Sequence, residues 1–73
     1  MAVKVGDFIR MLKGDGTYTL DGQTGQVTHI EDDASVWAKM DNDTTGYPEQ
    51  PWCVGSVHTE GEHYEILNGN ERR

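Results

Sequence analysis

This sequence predicts an all-β domain of five short strands, curled into a small barrel with a long first loop, and three observations carry that reading. Nine glycines in 73 residues punctuate the chain with turn signals every few positions. Between those breaks the apolar residues alternate or form short runs, and no stretch holds the helical period long enough to make an amphipathic helix. A chain of this length also makes one domain with a small core, since it buries only about 60% of the surface its unfolded form exposes.

The elements follow in order. Val3 to Lys13 interleaves Phe8, Ile9, Met11 and Leu12 with Lys4, Asp7, Arg10 and Lys13, and it reads as a first strand entered through a Val5-Gly6-Asp7 turn. Lys13 to Thr24 holds Gly14, Asp15, Gly16, Asp21 and Gly22, a long loop expected to contain a short extended piece, Thr17-Tyr18-Thr19-Leu20. Gln23 to Glu31 is a second strand expected to bend near Gly25. Glu31-Asp32-Asp33-Ala34 is a tight acidic turn, and after it Val36, Ala38 and Met40 define the inner face of a third strand with Trp37 and Lys39 outside. Asp41 to Pro51 has the composition of a loop, Trp52 to Val57 that of a fourth strand, and His63 to Leu67 closes the sheet. The domain therefore spans 1–67, and 68–73 is a polar tail with nothing to bury.

The order Val5-Gly6-Asp7, Gly22-x-x-Gly25-x-Val27-x-x-Ile30, Val36-x-Ala38-x-Met40-Asp41-Asn42 and Tyr64-Glu65-Ile66-Leu67 resembles the small SH3-like barrels. Similar patterns occur in KOW-containing domains, the β chain of nitrile hydratase, a small accessory protein of photosystem I, the variable chain of ferredoxin-thioredoxin reductase and mind-bomb type domains. The resemblance covers residues 3 to 67 and belongs to an architecture rather than to one family. It implies a docking role, since most of those proteins stabilise or join larger assemblies. The acidic bias and the loop from Asp43 to Pro51 depart from the nucleic-acid-binding members.

Charge is unevenly distributed. In the first thirty residues Asp7, Asp15 and Asp21 balance Lys4, Arg10 and Lys13. Residues 31 to 65 carry Glu31, Asp32, Asp33, Asp41, Asp43, Glu49, Glu60, Glu62 and Glu65 against Lys39, a net of −8, and the last eight residues add +1 to give the chain's net charge of −7. A field of that sign repels phosphate backbones and attracts cationic surfaces, so a basic protein partner is expected and nucleic acid is not. The same acids also serve solubility. Cys53 is the only cysteine, which excludes an intrachain disulfide and points to a cytoplasmic setting. The apolar run in MAVKVGDFIRML is too short for a signal peptide, and no segment is apolar enough to span a bilayer, so no membrane association is expected.

Catalytic and metal chemistry find little footing. His29, Cys53, His58 and His63 have spacings that match no common zinc finger or ribbon. Asp41-Asn42-Asp43-Thr44-Thr45-Gly46 copies the opening of a calcium loop, yet its twelfth position is Trp52 where a bidentate Glu is needed. Gly14-Asp15-Gly16 lacks the Lys-Ser/Thr of a phosphate loop. Cys53 with His58 or His63 has no third group to orient a base, and a buried structural cysteine beside Trp52 and Val54 is the expected role. Neither an enzyme nor a cofactor or metal is expected.

The aromatic residues are the stronger functional candidates. The loops that border the groove of such a barrel carry Tyr18, Tyr47, Pro48, Pro51 and Trp52. Trp52 and Tyr64 are assigned to the core, and Trp37 and Tyr47 to surface contact. The expected partner-binding set is Trp37, Tyr47 and Tyr18 as anchors, with Asp32, Asp33, Asp41 and Asp43 as steering charges. The function expected is a monomeric, non-catalytic accessory module that docks onto a basic protein surface. Two alternatives are a virus-encoded acidic inhibitor of a host enzyme acting by nucleic-acid mimicry, and a KOW-like nucleic-acid-binding barrel, which requires a basic stripe that this chain lacks.

Overall fold

The computed structural model describes residues 3–43 and 45–67, so the tail expected over 68–73 lies outside the described residues. Five strands form one antiparallel sheet: β1 (Phe8–Met11), β2 (Thr24–Ile30), β3 (Ser35–Met40), β4 (Pro51–Ser56) and β5 (Tyr64–Leu67). Their order across the sheet is β4-β3-β2-β1-β5. The first four strands meander, β5 returns to pair with β1, and the ladder stays open, with β4 and β5 as its edges. The described residues contain no helix, hence none long and apolar enough to cross a membrane.

Alternation places the core. Ile9 and Met11 of β1, Val27 of β2, Val36, Ala38 and Met40 of β3, Val54 of β4, and Tyr64 and Leu67 of β5 are all buried, as is Val3 ahead of the first strand. Tyr64 is wholly enclosed, and its hydroxyl donates to the Ser56 carbonyl at 2.8 Å, joining the first residue of β5 to the last of β4. Burial raises the Tyr64 phenol above its ordinary value, with the nearby Glu60 charge adding to the effect.

Gly25 lies between Ile9 of β1 and Met40 of β3. A Cβ at this position would stand 2.8 Å from the Lys39 carbonyl, so the close approach of β2 and β3 requires glycine. The irregularity expected at this glycine lies further along. Val27 pairs with Ala38 and His29 with Trp37, which leaves Thr28 as an extra residue in β2. A second bulge faces it across β3, because Trp37 pairs with Cys53 and Val36 with Gly55, skipping Val54. An inserted residue resets the alternation, so Thr28 and His29 are both exposed.

The acidic turn forms as expected. Ala34 N–H donates to the Glu31 carbonyl and Glu31 N–H to the Ser35 carbonyl, both at 2.9 Å, and Ala34 occupies the left-handed region at φ 75°. This is a three-residue hairpin connection ending in a left-handed residue. Two further expectations fail here. Pro51, assigned to the loop, opens β4, an edge strand where its missing N–H is tolerated. Thr17 to Leu20 is bent rather than extended, because Asp15 Oδ1 collects the backbone N–H groups of Thr17, Tyr18 and Thr19 at 2.7, 2.7 and 3.1 Å.

Candidate functional site

The two long loops meet at one end of the sheet. The first, 12–23, joins the end of β1 to the start of β2, and the second, 41–50, joins the end of β3 to the start of β4. The antiparallel meander brings both to the same end, and polar bonds lock them together. Asp41 N–H donates to the Thr24 carbonyl at 2.8 Å, Thr24 Oγ1 donates to Asp41 Oδ2 at 2.7 Å, and Gln23 Nε2 donates to the Asp41 carbonyl at 2.8 Å.

An aromatic pair bridges the loops. The Tyr18 ring of the first loop stacks on Trp52 of β4 with centroids 4.4 Å apart and planes 27° from parallel. Trp52 Nε1 donates to Asp43 Oδ2 at 2.9 Å, while Asp43 Oδ1 accepts the backbone N–H and hydroxyl of Thr45 at 2.7 and 2.6 Å. The Thr45 hydroxyl, then the Trp52 indole, hold the Asp43 carboxyl below the ordinary carboxylate value, so it stays charged. Trp52 is half-buried against the core, as assigned, but its ring also carries Tyr18, which remains 46% exposed. Tyr47 of the second loop is 60% exposed.

The first loop is shaped by carboxylates. Burial raises the Asp15 carboxyl, but the three N–H donors of Thr19, Thr17 and Tyr18 together outweigh it and hold the group below its ordinary value. Asp21 Oδ1 accepts Gly14 N–H at 2.8 Å and closes the loop's base. At this end of the sheet Asp15, Asp21, Asp41, Asp43 and Glu49 stand against Lys13. The other lysine nearby, Lys39, is engaged by Glu49 at 3.2 Å.

The remaining members of the expected set lie elsewhere. Asp32 and Asp33 sit in the β2–β3 turn, separated from Asp41 and Asp43 by the length of β3, roughly 17 Å for a strand of that length. Both are exposed; Asp33 Oδ1 accepts Ser35 N–H at 3.0 Å, and the Ser35 side chain and backbone lower its pKa. Trp37 is in mid-strand, half-buried, with its ring stacked on His29 at 5.6 Å. Its indole N–H is buried without a hydrogen-bond partner. The structure therefore unites Tyr18 with Asp43 through Trp52 and separates both from Trp37 and from the acidic turn.

Beside the first loop, a cleft of about 300 Å³ opens toward β4, lined by Met11, Thr19 and Val54 below and by Lys13, Asp15, Cys53 and His63 at its rim. Cys53, expected to be buried, is exposed there, because it alternates with the buried Val54 along the edge strand and so faces the other way. Its thiol donates to the Gly55 carbonyl at 3.6 Å. Among the described residues no group of three or more His, Cys, Asp and Glu side chains is placed to hold a metal ion.

The residues that sequence reasoning missed at this site are Trp52, named beside the groove but assigned to the core rather than to the binding set, and Asp15, read only as part of a glycine turn. The signal for Asp15 was its position two, three and four residues before the amides it caps. No family model, curated protein or solved structure matches this chain.

Proposed function

We propose that this chain is a non-catalytic protein-binding module of SH3-like barrel type, docking as a cytoplasmic monomer onto a basic surface of a partner through the end of the sheet where its two long loops meet. The observation that carries the reading is the Tyr18–Trp52 stack, held at 4.4 Å, fixed by Asp43 and set among carboxylates. Ordered aromatic rings give contact area at little entropic cost, and the surrounding charge steers a cationic partner toward them. The strand order, a meander with β5 returning to β1, supports the barrel assignment. The lone free thiol supports the compartment.

The alternatives draw less support. A nucleic-acid-binding barrel needs several free cations, and among the described Lys and Arg residues Lys4, Arg10 and Lys39 are each engaged by a carboxylate, which leaves Lys13. Nucleic-acid mimicry needs carboxylates arrayed outward, whereas Asp15, Asp33, Asp41 and Asp43 each accept hydrogen bonds from their own surroundings.

The test compares the wild-type chain with a Tyr18→Ser, Tyr47→Ser variant as baits in cell extract treated with nuclease, with mass spectrometry as readout. One stoichiometric basic protein, captured by the wild type in a salt-sensitive manner and lost by the variant, is the expected result. Equal capture by both baits, or recovery of nucleic acid when nuclease is omitted, overturns the reading.

A further inference from the structure

We propose that the open face of Tyr18 is an arginine site, taking the guanidinium of a partner protein's side chain between that ring and the Asp15 carboxylate. The inference rests on the docking role proposed above and specifies the chemistry of the residue that enters.

Three observations lead to it. Tyr18 has one face covered by Trp52, yet the residue remains 46% exposed, so the other face is presented to solvent in a fixed orientation. Trp52 is itself held by the Asp43 carboxylate, which makes the ring pair a rigid platform rather than two mobile side chains. The second observation is the state of Asp15. Its Oδ1 is saturated by the N–H groups of Thr17, Tyr18 and Thr19, and Oδ2 takes no bond from the loop, so an ionised carboxylate with a free oxygen lies 2.7 Å from the backbone nitrogen of the residue that carries the ring. The third is that no described Lys or Arg is paired with these carboxylates, although Lys13 stands with Asp15 at the rim of the cleft. The described Lys and Arg ion pairs are Lys4 with Asp7, Arg10 with Glu65 and Lys39 with Glu49, and none of them involves Asp15 or Asp43.

A flat cation answers all three features. Guanidinium stacks face-on over an aromatic ring and at the same time directs N–H groups sideways to a carboxylate. An ammonium is a compact, strongly hydrated charge that satisfies the carboxylate alone, so the site favours arginine over lysine. The acids at this end of the sheet give the long-range attraction, and the ring gives the choice between cations.

The experiment titrates the full chain, ¹⁵N-labelled, with a capped Gly-Arg-Gly-Arg-Gly peptide, with its Lys counterpart and with free arginine amide. The Arg peptide is expected to shift the Thr17–Thr19 amides and the Trp52 indole N–H, and to bind roughly two- to fivefold tighter than the Lys peptide. Tyr18→Leu, checked for an unchanged fold by its spectrum, is expected to erase that preference, while Asp32→Asn leaves it intact. Free arginine amide shifting the same signals as tightly as the peptide would identify a small-molecule guanidinium site and overturn a protein partner. Equal binding of the Arg and Lys peptides, shifts confined to Asp32–Ser35 or Trp37, or no binding of either peptide overturns the arginine site. The docking role stands or falls separately on the capture experiment, which requires no particular residue in the partner.

Discussion

Gly25→Ala sets two effects of known size against each other. The new Cβ would stand 2.7 Å from Met40 Sδ, 2.8 Å from the Lys39 carbonyl oxygen and 3.2 Å from Met40 Cα. The thioether can swing aside, but the carbonyl belongs to the β2–β3 pairing and yields only if the strands part. Opposing this, alanine narrows the unfolded ensemble and stabilises by about 0.4–1 kcal/mol where the backbone accepts it. Forcing a methyl into a packed site costs about 1–3 kcal/mol. The clash involves backbone, so it prevails, and the net loss is about 1–2 kcal/mol. For a domain of this size each kcal/mol moves Tm by about 4–8 °C, and circular dichroism during heating reads the change. Because Asp41 N–H bonds to the Thr24 carbonyl one residue away, its hydrogen exchange should also quicken. A variant that melts at or above the wild-type temperature would refute the argument that β2 and β3 meet this closely.

Two further outcomes are expected. Ala34→Gly should raise stability by about 0.5–1 kcal/mol, since a left-handed alanine costs about 1–2 kcal/mol and glycine returns part of that as lost chain entropy; an unchanged or lower denaturation midpoint would count against the φ of 75°. The folded pKa of Asp15 is depressed, so its contribution to loop order is complete above the ordinary carboxylate value of 3.8 and is lost as pH falls through the lower folded value. Exchange at the Thr17, Tyr18 and Thr19 amides, followed by NMR down an acid series, should accelerate in that window, and protection that persists until global unfolding would exclude Asp15 as the clamp.

The strands were more legible than the site. Val36, Ala38 and Met40 advertise a buried face because strict alternation has only one structural meaning over six residues, and the Asp-rich turn before them is equally plain. The bulge at Thr28 leaves no compositional mark, and so the exposure of His29 could not be read from alternation, whereas that of Cys53 follows from its place between Trp52 and the buried Val54. Trp52 was ambiguous for another reason. A ring of that size can rest one surface on the core and offer the other to a loop, and which loop arrives depends on pairing between residues far apart in the chain. Asp32 and Asp43 look alike as charges in a sequence, yet the β3 strand holds them at opposite ends of the sheet.

The pairing of Phe8 with Leu67 has a practical corollary. The chain enters its first strand and leaves its last side by side, and Met11, where the first loop begins, is about 10 Å of strand away. A tether fused ahead of β1 or after β5 is thus anchored at the pole opposite the Tyr18–Trp52 platform. Several copies strung on one scaffold would all face their rings outward, and weak single contacts with a repetitive basic partner would then add as avidity, set by linker length rather than by any new interface.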